Sequence, residues 1–361
     1  MKNKKLLTIL GFIVLLSVVA LVFYQNHQPT TDDNVIRIGA ILPLTGDFSV
    51  LGQYCLLGLE SAVADINGEG GVLGKKIALC VEDSHGEART GVLKYQKCVS
   101  VHKVDFIICA FSRVVKAIVP IADKDNRMII ATLANASKFA ELSPNLFRIF
   151  ASSDIEVKAA ASFILQTNAK NIALIHEDSE TGNDVSRIFR SSVGNKANVV
   201  FEDVIGSADR DYSDLVGRLN ASSYDVVYVY CGGNQLGFLL RNIAALSSSK
   251  PIFTLSEITN KEVEKVLSGI KLPPIFYTDL ATNDVLSNKL NNNTCSIFAY
   301  DSIVLLAEAI KKANNTNDID VKKELLQLKD VSGTIKGISI TPSGDVDFHI
   351  ILKQYEGGNN E

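Results

Sequence analysis

The chain has 361 residues, 47% hydrophobic and 21% charged, which is the balance of a folded globular protein and excludes a disordered chain. At ~150 residues per domain the length suggests two domains. A formal net charge of −4 provides no basic field, which excludes nucleic acid as a partner.

At the N-terminus, Lys2, Lys4 and Lys5 precede LLTILGFIVLLSVVALVFY, an uncharged run from Leu6 to Tyr24 long enough to cross hydrocarbon as a helix. It reads as an export signal or an anchor. No small-x-small site follows Ala20 and no cysteine is there to carry a lipid, so an uncleaved anchor is the favoured form, with a cleaved signal peptide as the alternative. Residues 1–26 are assigned to this segment and 27–34 to a polar linker.

From Val35 the strand VIRIGAILPL, the helix GQYCLLGLESAVADI, the strand KIALCVED, the helix ARTGVLKYQKCVS, the strand VDFIICAF, a helix over about 113–125 and the strand RMIIAT succeed one another. Between the first helix and KIALCVED lies NGEGGVLGKK. A phosphate loop needs G-x-x-x-x-G-K-[ST], but Glu69 stands five before Gly74 and Lys76 follows Lys75. A phosphate loop also runs from strand to helix, and this one runs from helix to strand, so the glycines read as a helix stop.

After LFRIFAS the alternation restarts with a helix ending near Thr167, the strand NIALIHED, the helix GNDVSRIFRSSV, the strand NVVFEDV, the helix YSDLVGRL, the strand YDVVYVYCGG and the helix LGFLLRNIAAL. Near-continuous apolar strands between helices predict two α/β lobes, each a doubly wound parallel sheet. IFAYDSIVLLAEAIKKA reads as an amphipathic helix, and SGTIKGISITPSGDVDFHIILKQY as two strands around a T-P-S-G-D turn. Crossings near 149–152, 277–280 and Ser332 give lobe 1 as 35–150 plus 280–331, lobe 2 as 151–279 plus 332–355, and a three-crossing hinge.

Six cysteines in an exported chain invite disulfides. Cys55 and Cys98 fall on helices expected on opposite sheet faces, Cys80 and Cys109 on strands flanking the first, and Cys231 and Cys295 far apart in sequence. The expectation is therefore mostly buried small apolar residues. The five histidines, His27, His85, His102, His176 and His349, show no metal spacing, no C-x-x-C occurs, and no G-x-S-x-G elbow is present. Neither a metal, a cofactor nor an enzyme activity is expected.

Ligands of such sheets sit beyond the carboxyl ends of strands. This draws attention to Thr45 to Val50, Ser84, Ser112, Thr132 to Lys138, Asp178 to Gly182, Gly232 to Gln235 and Ser256 to Thr259. Ser112 could equally be a helix N-cap, Glu257 a solvated loop acid or cap, Asn135 a turn former, and Phe48 a packed aromatic or a residue lining the mouth.

The segments IRIGAILPLTGDFSVLGQ, GLESAVADINGEGGVLGKKIALCVED, PIADKDNRMIIATLANAS, DYSDLVGRLNASSYDVVYVYCGG and FAYDSIVLLAEAI resemble the type I periplasmic solute-binding proteins, in the branch of the Leu/Ile/Val-binding proteins of ABC transporters. The resemblance covers nearly all the exported part. It implies an extracytoplasmic, periplasmic receptor, tethered to the inner membrane by residues 6–24 if that run stays uncleaved, that captures an amino acid and hands it to a membrane permease. The alternative is a tethered sensor without transport. It further implies that Ser112 binds an α-carboxylate, that Ala134 and Asn135 add contacts, and that Glu257 meets the ammonium. Asn234 is a weaker candidate, as are Phe48 and Arg113. Arg113 stands where the family usually has glycine, and either points to solvent, meets a second acid group on the ligand or crowds the pocket. Thr181 stands where many relatives place a tyrosine over the ligand, and the stretch from Asp279 to Cys295 is short enough to reduce a helix of the first lobe.

Overall fold

The computed structural model describes residues 34–357 except 137, 138, 207, 208, 247 and 248. The membrane-length run Leu6–Tyr24 and all but the last residue of the 27–34 linker lie outside the described residues. Among those described, no helix is long and apolar enough to cross a membrane.

The first sheet is five-stranded, in the order β2-β1-β3-β4-β5. Its strands are β1 (Val35–Leu42), β2 (Lys76–Asp83), β3 (Phe106–Ala110), β4 (Ile129–Thr132) and β5 (Leu146–Arg148). The central pairing of β1 with β3 is parallel, with Ile38 opposite Phe106 and Ile41 opposite Cys109. Helices α1 (Ser49–Gly68), α2 (Ala88–Lys97) and α3 (Ser112–Lys124) connect these strands. Every residue of β3 and β4 is buried, as expected of central strands covered on both faces.

The turn after α1 is structural. Asn67 of α1 clamps the start of β2, accepting from the Ile77 N–H and donating to its carbonyl, each at 2.8 Å. Gly71 has φ +83°, and a Cβ there would sit 2.0 Å from the Lys75 carbonyl oxygen, so only glycine closes this turn.

The second sheet is six-stranded, in the order β13-β10-β9-β8-β6-β7. It comprises β6 (Asn171–Glu177), β7 (Asn198–Ile205), β8 (Val226–Tyr230), β9 (Ile252–Leu255), β10 (Ile275–Leu280) and the antiparallel edge strand β13 (Ile350–Gln354). Its helices are α4 (Ser153–Gln166), α5 (Glu180–Val193), α6 (Ser213–Ala221), α7 (Gly233–Ala244) and α8 (Lys261–Leu267). The chain then returns to the first core through α9 (Asp284–Lys289), α10 (Thr294–Ala313) and α11 (Asp318–Leu325). At six residues α9 is short.

Two expectations need correction. The segment from 294 to 313 is a helix, but its polar face is narrower than an amphipathic reading implies: α10 is buried over most of its circumference, Asp301 and Ser302 included, and forms the centre of the first core. The stretch after Ser332 does not pass directly to the second lobe either. Ile335, Ile338, Ile340, Val346 and Phe348 pack in the first core, and only β13 joins the second sheet. Two buried polar links hold it there. Both oxygens of Asp301 are used, accepting from the Thr334 N–H at 2.6 Å and the Ile335 N–H at 2.8 Å. Arg148, 1% exposed, grips Asp345 in a two-pronged pair in which Nε donates to Oδ1 at 2.7 Å and Nη2 meets Oδ2. The T-P-S-G-D turn does lie between two short antiparallel strands, β11 (Ser339–Ile340) and β12 (Val346–Asp347).

Candidate ligand-binding site

In the first lobe the strand ends present a cation on an aromatic pair. Phe111, which follows β3, has φ +82°, a conformation rare for a bulky residue and found where the surroundings enforce it. Phe111, rather than Ser112, occupies the N-cap position of α3. Its ring lies 4.3 Å from that of Phe48, and the Arg113 guanidinium sits 5.1 Å and 4.9 Å from the centres of the Phe48 and Phe111 rings. Such stacking contributes ~0.5–1 kcal/mol at an exposed site. Arg113 is thus exposed, with its guanidinium resting on these two rings.

Ser112 is the first residue of α3 and half-buried. Its hydroxyl has no hydrogen-bond partner among the described residues. The Phe111 carbonyl accepts from the N–H groups of Val114 and Val115, leaving those of Ser112 and Arg113 at the positive end of the helix.

Beside this, Thr45 Oγ1 donates to Asp83 at 2.6 Å, and the N–H groups of Leu44 and His85 each donate to it at 2.9 Å. Burial pushes the Asp83 carboxyl up, but these donors outweigh it and hold the net pKa below the ordinary range. Ala134 is fully buried in the core, and its carbonyl accepts from Arg148 at 3.4 Å, so only its N–H could serve a ligand. Arg148 also donates to the Ala136 carbonyl, which leaves the intervening Asn135 on the exposed bend of a held loop.

The second lobe presents carboxylates. Glu257 follows β9 in a short 3₁₀ turn over Ser256–Thr259. Its side chain is exposed, on a rim where neighbouring protein still displaces part of its water. The resulting desolvation is the first cause of its raised pKa, and Glu177 and Asp279 add to it. Asn260, not Glu257, caps the following helix, accepting from the Glu262 N–H at 3.0 Å. Glu156 near the start of α4 is half-buried, and desolvation, then Glu257 and Asp279, push its carboxyl up to about 8. Neither Glu156 nor Glu257 has a cationic partner among the described residues, whereas Asp279 is paired with Lys353 at 2.7 Å. Below this rim the hydroxyls of Tyr228, Thr254 and Thr278 are buried without a partner among the described residues. Thr181 is half-buried in the first turn of α5, behind the Ser179 cap, and Asn234 is exposed in the first turn of α7.

Phe111, Glu156, Glu177 and Asp279 did not stand out in the sequence. Phe111 ends an apolar run, Asp279 lies inside the strand β10, and the position of Glu156 depends on where α4 begins. Two surface cavities, of about 400 Å³ (Lys261, Leu267, Ile270, Tyr355) and about 210 Å³ (Met128, Asn145, Asp318, Lys322), lie at the amino ends of strands, away from these rims. No cluster of metal-ligating side chains occurs among the described residues.

The model of the periplasmic binding protein family matches residues 35–350. The chain belongs to that family. Its members are solute-binding proteins and not enzymes, so this binding protein takes a small molecule as its partner. The chain is 25% identical over 329 residues to the Leu/Ile/Val-binding protein BraC3 of Rhizobium johnstonii, spanning 86% of this chain and 89% of that one. The fold matches LivJ from Streptococcus pneumoniae in complex with isoleucine at a TM-score of 0.71 and 21% identity, covering 90% of this chain and 97% of LivJ. A solute-binding protein of an ABC transporter from R. palustris in complex with benzoate matches at a TM-score of 0.69 and 18% identity, covering 90% of this chain and 94% of the other. The architecture is the two-lobed type I fold.

Proposed function

We propose that this binding protein captures a small solute bearing both a carboxylate and an amine, an amino acid or a close analogue, and delivers it outside the cytoplasm to an ABC-type permease. The observation that carries the reading is the chemical contrast of the two rims. Ser112, with its own N–H and that of Arg113 at the start of α3, suits an anion, and Asn135 supplies an adjacent polar side chain. On the other rim Glu257 and Glu156, raised in pKa and lacking a cation, suit an ammonium group. Closure of the two lobes over a zwitterion satisfies both ends, and the ligand biases closure only by its extra contacts in the closed form. Relatives named for branched-chain amino acids support the amine-bearing class. The benzoate-bound neighbour shares only the acid end of that chemistry.

Titration calorimetry against amino acids and amine-free aromatic acids tests this. Amino acids are expected to bind, and Glu257→Ala to weaken them roughly ten- to a hundredfold, a loss on the order of 1.5–3 kcal/mol, with the melting temperature of the free protein almost unchanged. Tight binding of benzoate-like acids with no response to Glu257→Ala would remove the second rim from recognition.

A further inference from the structure

We propose that Cys55 and Cys295 form an intramolecular disulfide that staples α1 to α10. From the sequence Cys295 has no evident partner, yet the fold carries both residues into one core, where they are buried at 0% and 7% exposure as free thiols. The helices meet closely at this level. A Cβ added to Gly58, one turn beyond Cys55, would lie 2.1 Å from the carbonyl oxygen of Ser296, the residue after Cys295. Nothing larger than glycine at 58 allows this approach, which brings the 55 and 295 side chains together.

The two thiols are near enough to perturb each other. That contact is the first cause keeping the proton on Cys55 and drawing Cys295 below the ordinary thiol range. Cys295 is also the second residue of α10, with its N–H held by the Asn293 cap at 3.0 Å, and a helix N-terminus favours thiolate. Burial instead pushes the remaining thiols, Cys80, Cys98, Cys109 and Cys231, up. The pair therefore combines a nucleophilic sulfur with a protonated neighbour.

The oxidant is an external disulfide, either oxidised glutathione or a disulfide oxidoreductase. The Cys295 thiolate attacks one of its sulfurs, forming a mixed disulfide and expelling the other sulfur as thiolate. Cys55 then loses its proton and attacks the Cys295 sulfur, releasing the second thiolate. Two electrons pass to the external disulfide, which leaves as two thiols once it takes up the protons. Since both sulfurs are buried in the docked helices, exchange takes place while α1 and α10 assemble. The bond would join α1, the first of the described helices, to the segment that returns after the second sheet. It requires an oxidising compartment but not the ligand reading above.

The test is to refold the full-length protein with oxidised and reduced glutathione, alkylate it, digest it without reductant and map the peptides by mass. The expected result is a linked Cys55–Cys295 peptide pair, with the other four cysteines alkylated. The oxidised form should melt roughly 4–10 °C above the reduced one. That difference should vanish in the Cys55→Ala/Cys295→Ala variant, whose own melting temperature reports whether it folds. Alkylation of both residues under these conditions, or a link between other cysteines such as Cys98 and Cys109, would overturn the proposal. Ligand titration of both redox forms keeps this outcome separate from the binding reading, because a failed disulfide leaves ligand affinity intact.

Discussion

At the end of β2 in the first lobe, Asp83 takes three donors from its own lobe and its pKa falls, whereas beyond β9 in the second, Glu257 has none from a cation and its pKa rises. The same residue class at equivalent ends of two similar sheets is thus held in opposite electrostatic states. Asp83 is a structural clamp on the Leu44–Thr45 turn. On the second rim Glu257 and Glu156 have no cation among the described residues, and Glu177 and the Lys353-paired Asp279 oppose further negative charge there. The difference teaches that a polar strand end is not evidence of a ligand. An unpaired one with an elevated carboxyl pKa is a better candidate.

The sharpest way to break the comparison is to unsettle the satisfied side. Arg148→Met leaves Asp345 without its partner and frees the carbonyls of Ala134 and Ala136, and is expected to cost about 3–5 kcal/mol in urea unfolding. A loss below about 1 kcal/mol would mean that the first lobe does not depend on this pair.

On the unsatisfied side the sign should reverse. The folded pKa of Glu156, about 8, lies above the ordinary value of 4.5, so the stability of the carboxyl form is fully present below about pH 4 and is lost as pH rises through about 8. Glu156→Gln stays neutral throughout. It should match the native protein near pH 4 and exceed it by about 1–2 kcal/mol at about pH 9, after allowing for partial exposure. Melting curves from about pH 4 to about pH 9 measure this, and parallel curves for the two proteins would remove Glu156 from the strained set.

The smallest effect concerns Arg113. Replacing it with Gln removes the stacking on Phe48 and Phe111 and is expected to cost about 0.5–1 kcal/mol in thermal unfolding. No change would show that the guanidinium rests on the rings without stabilising them.

Much of the fold was legible because strands covered on both faces must be apolar throughout, as in FIICA and VVYVY, and because glycines must stop the helix before β2. The candidate site was legible only as strand-end positions. Ala134 falls there, yet its side chain faces the core. Phe111 was hidden as the last apolar residue of a strand run, and its left-handed backbone has no local signature.

From the order of its residues alone, the chain determined its alternating elements, its two parallel sheets and its likeness to solute receptors, since hydrophobic period and turn chemistry act over a few neighbours. Which sheet the segment 335–348 joins, which acids stay unpaired and which cysteines meet were decided by tertiary structure. These depend on contacts such as Asp301 with Thr334 or Arg148 with Asp345, made across long stretches of chain, where desolvation and packing set the outcome.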